Sequence, residues 1–397
     1  MKLSVIIVSY NVKHFLLQCI DSVKRATDSS ETEIFVIDNH SKDDTVEALE
    51  REHGINLIAS NTNHGFARAN NIAINQSEGE YVLLLNPDTI VGENSIKECI
   101  DFLDNNPQAG AVGVCMLKSD GSKAMESRRG LPTPMTSFYK MCGLCNAFPD
   151  SKRFGRYYMS GIPWDKAAKI DVISGAYCMI RRKALNEAGL LDEDFFMYGE
   201  DIDLSYRLLK HGYENWYLPV NILHYKGEST QKSSFRYIHV FYEAMIIFFK
   251  KHYSHLSFWL NIPIKIAIYL KAMLALIQLS YKQTRKTLGF WKNNNNKQPT
   301  YVFIGEEDAI DKCRKITRKN GLEARFITGN ERTKPLGHSD MKAVTESKSQ
   351  ICVVYDNSAY SYDSIFGIFS KNSQPNITIG TFDRRRKTII TDKEIIS

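Results

Sequence analysis

Over its first ninety residues the chain alternates short apolar runs with stretches whose apolar positions recur every three or four residues. The run Leu3–Ser9 ends at Tyr10-Asn11, and the segment after it sets Leu16, Ile20 and Val23 on one helical face. A second strand over Ile34–Ile37 stops at Asp38-Asn39-His40-Ser41. Asp43 or Asp44 then caps a helix through Val46 and Leu49 that Gly54 closes. Ile55–Ala59 reads as a third strand and Gly65–Gln76 as a third helix. A fourth strand, Tyr81–Asn86, breaks at Pro87, which removes a backbone donor, and presents Asp88 immediately afterwards. Repeated β-α-β spacing of this kind predicts an α/β fold with a Rossmann-like, mostly parallel sheet flanked by helices.

The middle of the chain is less regular. Pro132, Pro134, Pro149 and Pro163 break residues 119–170 into loops with small strands and helices. Val172–Ile180 reads as a strand, and Asp201–His211 as a helix closed by Gly212. Phe235–Tyr253 and Leu256–Tyr281 are helical in pattern, the second strongly apolar, and Asn293–Asn296 marks a linker. From Tyr301 a smaller β-α-β pattern begins, with strands near Tyr301–Ile304, Ala324–Ile327, Gln350–Tyr355 and Asn376–Gly380. The chain therefore divides into a first α/β domain over 1–253, a helical, basic segment and linker over 254–297, and a small α/β module over 298–397. That module has only Gly305 after its first strand, not a dinucleotide fingerprint, and reads as an accessory unit or partner surface.

Charge narrows the function classes. Between Ser229 and Lys297 there are 11 Lys and Arg against one acid, Glu243; this local +10 leaves −4 for the rest of a chain whose total is +6. The basic excess belongs to one segment, so a nucleic-acid partner is not indicated. Leu256–Tyr281 is long enough to span a bilayer, but Lys265 and Lys271 lie inside it, each costing roughly 2.5–3.5 kcal/mol at a membrane centre. The pattern instead fits peripheral contact with an anionic membrane surface, or a helix packed between the two domains. Eight scattered cysteines point to reduced thiols, and Cys142-Gly-Leu-Cys145 lacks the second pair or nearby His of a zinc site. Leu3–Val8 is too short for a signal peptide, so the expected setting is cytoplasmic, with contact at the inner face of the cell membrane.

The chemistry gathers at strand ends. Tyr10-Asn11, Asp38-Asn39, Asn61 to Asn63 and Asn86/Asp88 close four consecutive strands at one sheet edge, which describes a polar ligand cleft. Taken singly, each is also an ordinary turn. Asp38 suits a base N–H and Tyr10 a stacked ring. Asn63-His64-Gly65-Phe66-Ala67-Arg68 opens a helix, where free N–H groups and Arg68 suit a diphosphate. Glu200, Asp201 and Asp203 stand at a helix start, where acids also favour the macrodipole without any chemistry. His224, at the end of an apolar stretch, is on its own compatible with a purely structural role.

Together, Val5-Ile-Ile-Val-Ser-Tyr-Asn11, Val36-Ile-Asp-Asn-His-Ser41, Asn63-His-Gly-Phe-Ala-Arg-Ala-Asn70 and Leu85-Asn-Pro-Asp-Thr89 resemble the family 2 glycosyltransferases, of GT-A fold, and most of all their rhamnosyltransferase-like bacterial branch. The resemblance covers about residues 1–250. It implies a hexosyltransferase-class enzyme that moves a sugar, with inversion, from a nucleotide-diphosphate donor to a saccharide or lipid-linked acceptor in cell-surface polysaccharide synthesis, assisted by Mg²⁺ or Mn²⁺. It further implies donor contacts at Tyr10, Asp38, Asn63, Gly65, Arg68, Asn86 and Asp88, metal ligation by Asp88 and His224, and Lys226 or Ser229 near phosphate. Asp201 is the implied catalytic base, with Glu200 orienting acceptor or base and Phe195, Phe196 and Tyr198 as a sugar platform. The metal motif departs from the usual Asp-x-Asp, since Asn86 replaces the first acid. Rhamnose from a dTDP donor follows from the branch alone. A nucleotidyltransferase would show a Gly- and Arg/Lys-rich loop where Tyr10-Asn11-Val12 stands; a non-catalytic sugar-nucleotide-binding assembly protein is the alternative.

Overall fold

A computed structural model of the chain describes residues 1–225, 235–254 and 298–397, with isolated helical positions between 266 and 284. The first sheet is built from β1 (Leu3–Ser9), β2 (Thr32–Asp38), β3 (Asn56–Ala59), β4 (Tyr81–Leu85), β5 (Thr89–Val91), β6 (Ala109–Leu117), β7 (Ala168–Ile170), β8 (Tyr177–Arg181) and β9 (Glu214–His224). Its order is β3-β2-β1-β4-β8-β6-β9-β5, with β7 on β9. The sheet runs parallel through β3-β2-β1-β4 and becomes mixed beyond, where β8 is antiparallel to both β4 and β6.

The strands read as unbroken apolar runs because both faces are covered. On β1, Leu3, Val5 and Ile7 join a core with Leu16, Ile20 and Val23 from the helix Lys13–Ala26. Ile6 and Val8 face the opposite core, with Ala67, Ala69 and Ala73 from the helix Gly65–Ile74. The chain winds outward from β1 to β3 and returns to β4 on the other side of β1. The polar ends of β1 and β4 thus meet at the switch point, where a sheet of this type opens a crevice.

One expected strand is shorter than its pattern. Val172–Ile180 becomes extended pairing only from Tyr177, because Tyr177 N–H turns back to Ser174 O at 3.2 Å and the Gly175 N–H is diverted to the Asp201 carboxylate at 3.1 Å. Most of Leu256–Tyr281, the Asn293–Asn296 linker, Lys226 and Ser229 lie outside the described residues. Among the described residues no helix is long and apolar enough to cross a membrane.

The second sheet comprises β10 (Thr300–Gly305), β11 (Ala324–Thr328), β12 (Ile351–Asp356), β13 (Ile377–Asp383), β14 (Thr388–Thr391) and β15 (Ile395–Ile396), in the order β11-β10-β12-β13-β14-β15. Its own switch point, between β10 and β12, is filled from within. Arg384 bonds Glu306 at 2.9 Å, Asp308 at 3.1 Å and the buried Asp356 there. This sheet shares a core with the first: Tyr362, Phe366 and Phe369 belong to the same buried cluster as Phe15 and Tyr225. Polar clamps surround that contact. Arg25 donates to Asn357 O at 2.6 Å, Glu93 accepts the N–H groups of Tyr362 and Asp363 at 2.9 and 3.0 Å, and Glu52 takes both Arg385 and Arg386 at 2.6 Å.

Candidate active site

The ends of β1 and β4 open on a cavity of about 300 Å³. Ser9, Tyr10, Asn39 and Asn63 line one side; Asn86, Pro87, Asp88 and His224 form the floor; Arg129, Gly175, Tyr198, Glu200 and Asp201 close the other side. Three of the residues around it hold left-handed backbone without being glycine: Asn11 (φ 55°), His40 (φ 69°) and Tyr198 (φ 70°). Such conformations cost energy and persist where the surrounding structure fixes them, commonly at functional sites.

Asp88 reaches the floor because Asn86 and Pro87 stop β4 and the chain turns into β5. Strand β5 is antiparallel to β9 with Thr89 opposite His224, and this register brings His224 Nε2 to 3.3 Å from Asp88 Oδ1. Asn86 Nδ2 lies 3.4 Å from the same ring nitrogen. Asp88 is 1% exposed. A hard divalent ion with ligands near 2.1 Å in octahedral geometry sets neighbouring donor atoms roughly 3 Å apart, so the Asp88–His224 pair fits one edge of such a shell. Among the described residues no group of three His, Cys, Asp or Glu side chains assembles; hard divalent ions commonly fill the rest of their shell with substrate phosphates and water.

Opposite stands the helix Glu200–Lys210, entered through the left-handed pair Tyr198-Gly199. Its three acids have separate surroundings. Asp203 is fully buried and bonds Arg207 at 2.7 Å, Lys251 at 2.9 Å and His252 at 2.6 Å, tying this helix to Phe235–Tyr253. Burial alone would raise its carboxyl, yet these three partners hold it below the ordinary carboxylate value. Glu200 is 6% exposed, and its Oε2 has no hydrogen-bond partner among the described residues. Burial first, and then the charge of Asp201, push its carboxyl up to about 8, so it holds its proton to higher pH than an ordinary carboxyl. Asp201 faces the cavity; its Oδ2 accepts from Arg129 and from Gly175 N–H, and its Oδ1 from Ile202 N–H at 2.8 Å.

Arg129 is the residue that sequence patterning missed. It lies in the proline-broken stretch, where no periodicity marks it. Its carbonyl accepts from the N–H groups of Asp171 and Val172, and its guanidinium also reaches Ile173 O at 3.1 Å. The only hint in the sequence was Arg128-Arg129-Gly130 after an acid, Glu126, which also lines the cavity.

Tyr10, Asn63, Asn86, Asp88, Glu200, Asp201 and His224 thus meet at one cavity, while Asp38, Gly65 and Arg68 stand back from its walls. Asp38 is 1% exposed and accepts Ser41 N–H at 2.9 Å; its neighbour Asn39 is the one that reaches the cavity. The expected anion cradle at the helix start needs correction, because three of the N–H groups there are already taken. His64 N–H goes to Asn39 Oδ1, Gly65 N–H to Asn63 Oδ1 and Phe66 N–H to Phe196 O, at 2.8, 3.0 and 2.7 Å. Gly65 is required instead for close approach: at φ 78°, an added Cβ would sit 2.4 Å from Phe196 O. Arg68 is 3.8 Å from Glu193 and mostly exposed. Of the expected sugar platform, Tyr198 lines the cavity, whereas Phe195 is buried behind it, 1% exposed.

Comparison with known proteins adds an independent line. A family model described as glycosyl transferase family 2 matches residues 4–189. An N-acetylglucosaminyl-diphospho-decaprenol L-rhamnosyltransferase of Mycobacterium tuberculosis is 28% identical over 276 residues, 66% of this chain and 88% of the relative. A rhamnosyltransferase of Escherichia coli, WbbL, is 24% identical over 261 residues, 59% of this chain and 91% of the relative. Among solved structures, S. aureus TarS aligns with 18% identity and a TM-score of 0.42, over 63% of this chain and 40% of that one.

Proposed function

Because the chain belongs, through residues 4–189, to the family 2 glycosyltransferases, we propose that it transfers a sugar with inversion from a nucleotide-diphosphate donor to a saccharide or lipid-linked acceptor of the cell surface. Rhamnose is the first candidate sugar, and a lipid-diphosphate saccharide the first candidate acceptor, since the mycobacterial relative's name carries both. The observation that carries the reading is that Asp88 with His224, and Asp201 with Glu200, line one cavity at the switch point of the sheet.

In this reading Asp201 takes the proton of the acceptor hydroxyl while that oxygen attacks the anomeric carbon from the face opposite the diphosphate. The bond from carbon to the diphosphate oxygen breaks, its electron pair leaves with the diphosphate, and the configuration inverts. Arg129 and the Gly175 N–H hold the Asp201 carboxylate in position. Protonated Glu200 offers a donor toward the acceptor. Asp88 and His224 would hold Mg²⁺ or Mn²⁺, which when bound would offset the charge gathering on the diphosphate. Asn86 braces the same corner, Tyr10 stacks on the base and Asn63 contacts the donor. The exposed apolar positions Ile266, Leu270, Met273, Leu274 and Ile277, 50–56% exposed, together with the basic surroundings, support peripheral contact with an anionic membrane.

The test is a panel of dTDP-, UDP- and GDP-sugars with Mg²⁺ or Mn²⁺, following nucleoside diphosphate release, with Asp201→Asn in parallel. Release from one donor that the variant loses supports the transferase. Donor binding without turnover, with lipid-linked acceptors supplied, would favour an assembly protein instead.

A further inference from the structure

A second cavity, of about 310 Å³, adjoins the first and shares Arg129, Tyr198, Glu200 and Asp201 with it. Its walls are the helix Pro134–Met141 with Tyr157 on one side and the helix Phe235–Tyr253 on the other. It has two chemically different parts. Phe241, Met245, Phe248 and Phe249 give an apolar half. Ser137 and Lys140, one turn apart, give a polar half. The Ser137 side chain is 6% exposed, and its hydroxyl has no hydrogen-bond partner among the described residues. Arg129 Nε, on the wall common to both cavities, is likewise buried without a partner among the described residues. The Lys140 ammonium sits 3.7 Å from the centroid of the Tyr157 ring and makes no ion pair with any described carboxylate.

A buried hydroxyl and guanidinium N–H without acceptors, beside an unneutralised ammonium, call for an anion with several oxygen atoms. The apolar half calls for hydrocarbon continuous with that anion. From these chemistries, and resting on the transferase reading above, we propose that the second cavity binds the junction of phosphate and isoprenoid in a lipid-linked saccharide acceptor. The phosphate lies at Ser137, Lys140 and Arg129, and the first isoprene units lie against Phe241, Met245 and Phe248. The saccharide then extends past the shared wall to Asp201, which sets which hydroxyl is presented there. A free oligosaccharide would leave both halves of the cavity unsatisfied, so the acceptor is selected by its lipid end as well as by its sugar.

The experiment uses the full chain and farnesyl diphosphate as probe, with inorganic diphosphate and farnesol as controls, by calorimetry in the presence of saturating nucleoside diphosphate. Farnesyl diphosphate is expected to bind at least tenfold more tightly than either control. Met245→Trp, which fills the apolar half, and the double variant Ser137→Ala with Lys140→Gln are each expected to weaken it at least tenfold and to leave nucleoside diphosphate affinity unchanged. Equal binding by wild type and both variants would overturn the assignment. On the unmodified protein, a benzophenone-bearing isoprenyl diphosphate should label peptides within 132–157 and 241–249; labelling elsewhere would also overturn it. If farnesyl diphosphate binds as expected but no donor sugar turns over, the transferase reading fails and the lipid-phosphate site stands.

Discussion

The guanidinium of Arg129 donates to the carboxylate of Asp201 at the wall of the cavity, and both side chains are largely buried, 14% and 16% exposed. The pairing fixes the carboxylate while leaving its edge open to the cavity. Beside Asp201, burial dominates the surroundings of Arg129, yet the carboxylate keeps the guanidinium more basic than usual. Arg129→Lys keeps the charge but loses the planar fork, and Arg129→Met loses both. Expected values of kcat fall in that order, by roughly tenfold and by about 10²-fold or more, with donor affinity little changed. Removing one partner of a buried pair also destabilises the fold, by about 3 kcal/mol for Arg129→Met. Steady-state kinetics beside urea unfolding separates the two effects. A fall confined to stability, with kcat intact, would remove Arg129 from the positioning role.

Glu200 makes the stability of the protein fall as pH rises. Its carboxyl is raised to about 8 by burial and then by Asp201, well above the ordinary value of 4.5. The folded state therefore holds a proton that the unfolded chain releases near 4.5. Its contribution is fully present below that pH and is lost as pH rises through about 8. Wild-type stability should decline by a few kcal/mol, to order of magnitude, between pH 5 and 9. Glu200→Gln, neutral throughout, should flatten that decline. Chemical denaturation at several pH values reads the slope, and equal slopes in both proteins would contradict the assignment.

The parts of this architecture that follow from local periodicity were legible in the sequence. Strands β1, β2 and β4 are continuous apolar runs ended by polar residues, so their ends located Tyr10, Asn86 and Asp88 before any geometry. Periodicity alone does not pair His224 with Asp88, which the family resemblance implied; their contact rests on the antiparallel register of β5 on β9, which no single segment specifies. Arg129 sits where prolines remove periodicity, and its place is fixed by backbone bonds to residues more than forty positions away. The helix start at Gly65 misled for a similar reason. Its N–H groups look free in sequence, but Asn39 and Phe196 arrive from elsewhere in the fold, and Asn63 folds back from two residues upstream, to take the N–H groups of His64, Phe66 and Gly65.

Glu52 links stability to pH on the acid side. Its side chain is 5% exposed and accepts from both Arg385 and Arg386, with Arg386 also bonded to Asp21. Burial would raise its carboxyl, but Arg386, Arg385 and Lys24 outweigh that and hold it below the ordinary value. The stabilisation is therefore present above about 4.5 and lost as pH falls below it. Glu52→Gln leaves the arginines partly unpaired and should cost about 2–3 kcal/mol at pH 7. The deficit should shrink as the wild type is acidified toward pH 4. Thermal unfolding at pH 7 and pH 4 measures both numbers, and a deficit that stays constant would show that charge is not its cause.

The tail sheet braces the floor of the cavity, so removing it should damage the site rather than trim an appendage. Tyr225 follows His224 directly, and its N–H bonds the Asp88 carbonyl at 3.0 Å. Its ring packs edge-on to Phe15 at 5.1 Å and lies in the core that Tyr362, Phe366 and Phe369 complete from the tail. Gln18, 4% exposed, bonds Thr381 across the same contact. A chain ended at residue 297 would expose this apolar surface beside the Asp88–His224 pair. Such a surface on a monomer favours aggregation, and the loss of packing around Tyr225 loosens the register that sets the 3.3 Å separation of that pair. The truncated chain is expected to show reduced near-ultraviolet dichroism, to aggregate, and to lose donor binding along with metal dependence. Thr381→Val tests the same coupling without exposing the core, and should lower metal affinity severalfold while the far-ultraviolet spectrum stays unchanged. A soluble, fully active 1–297 fragment would show that the two sheets are energetically independent.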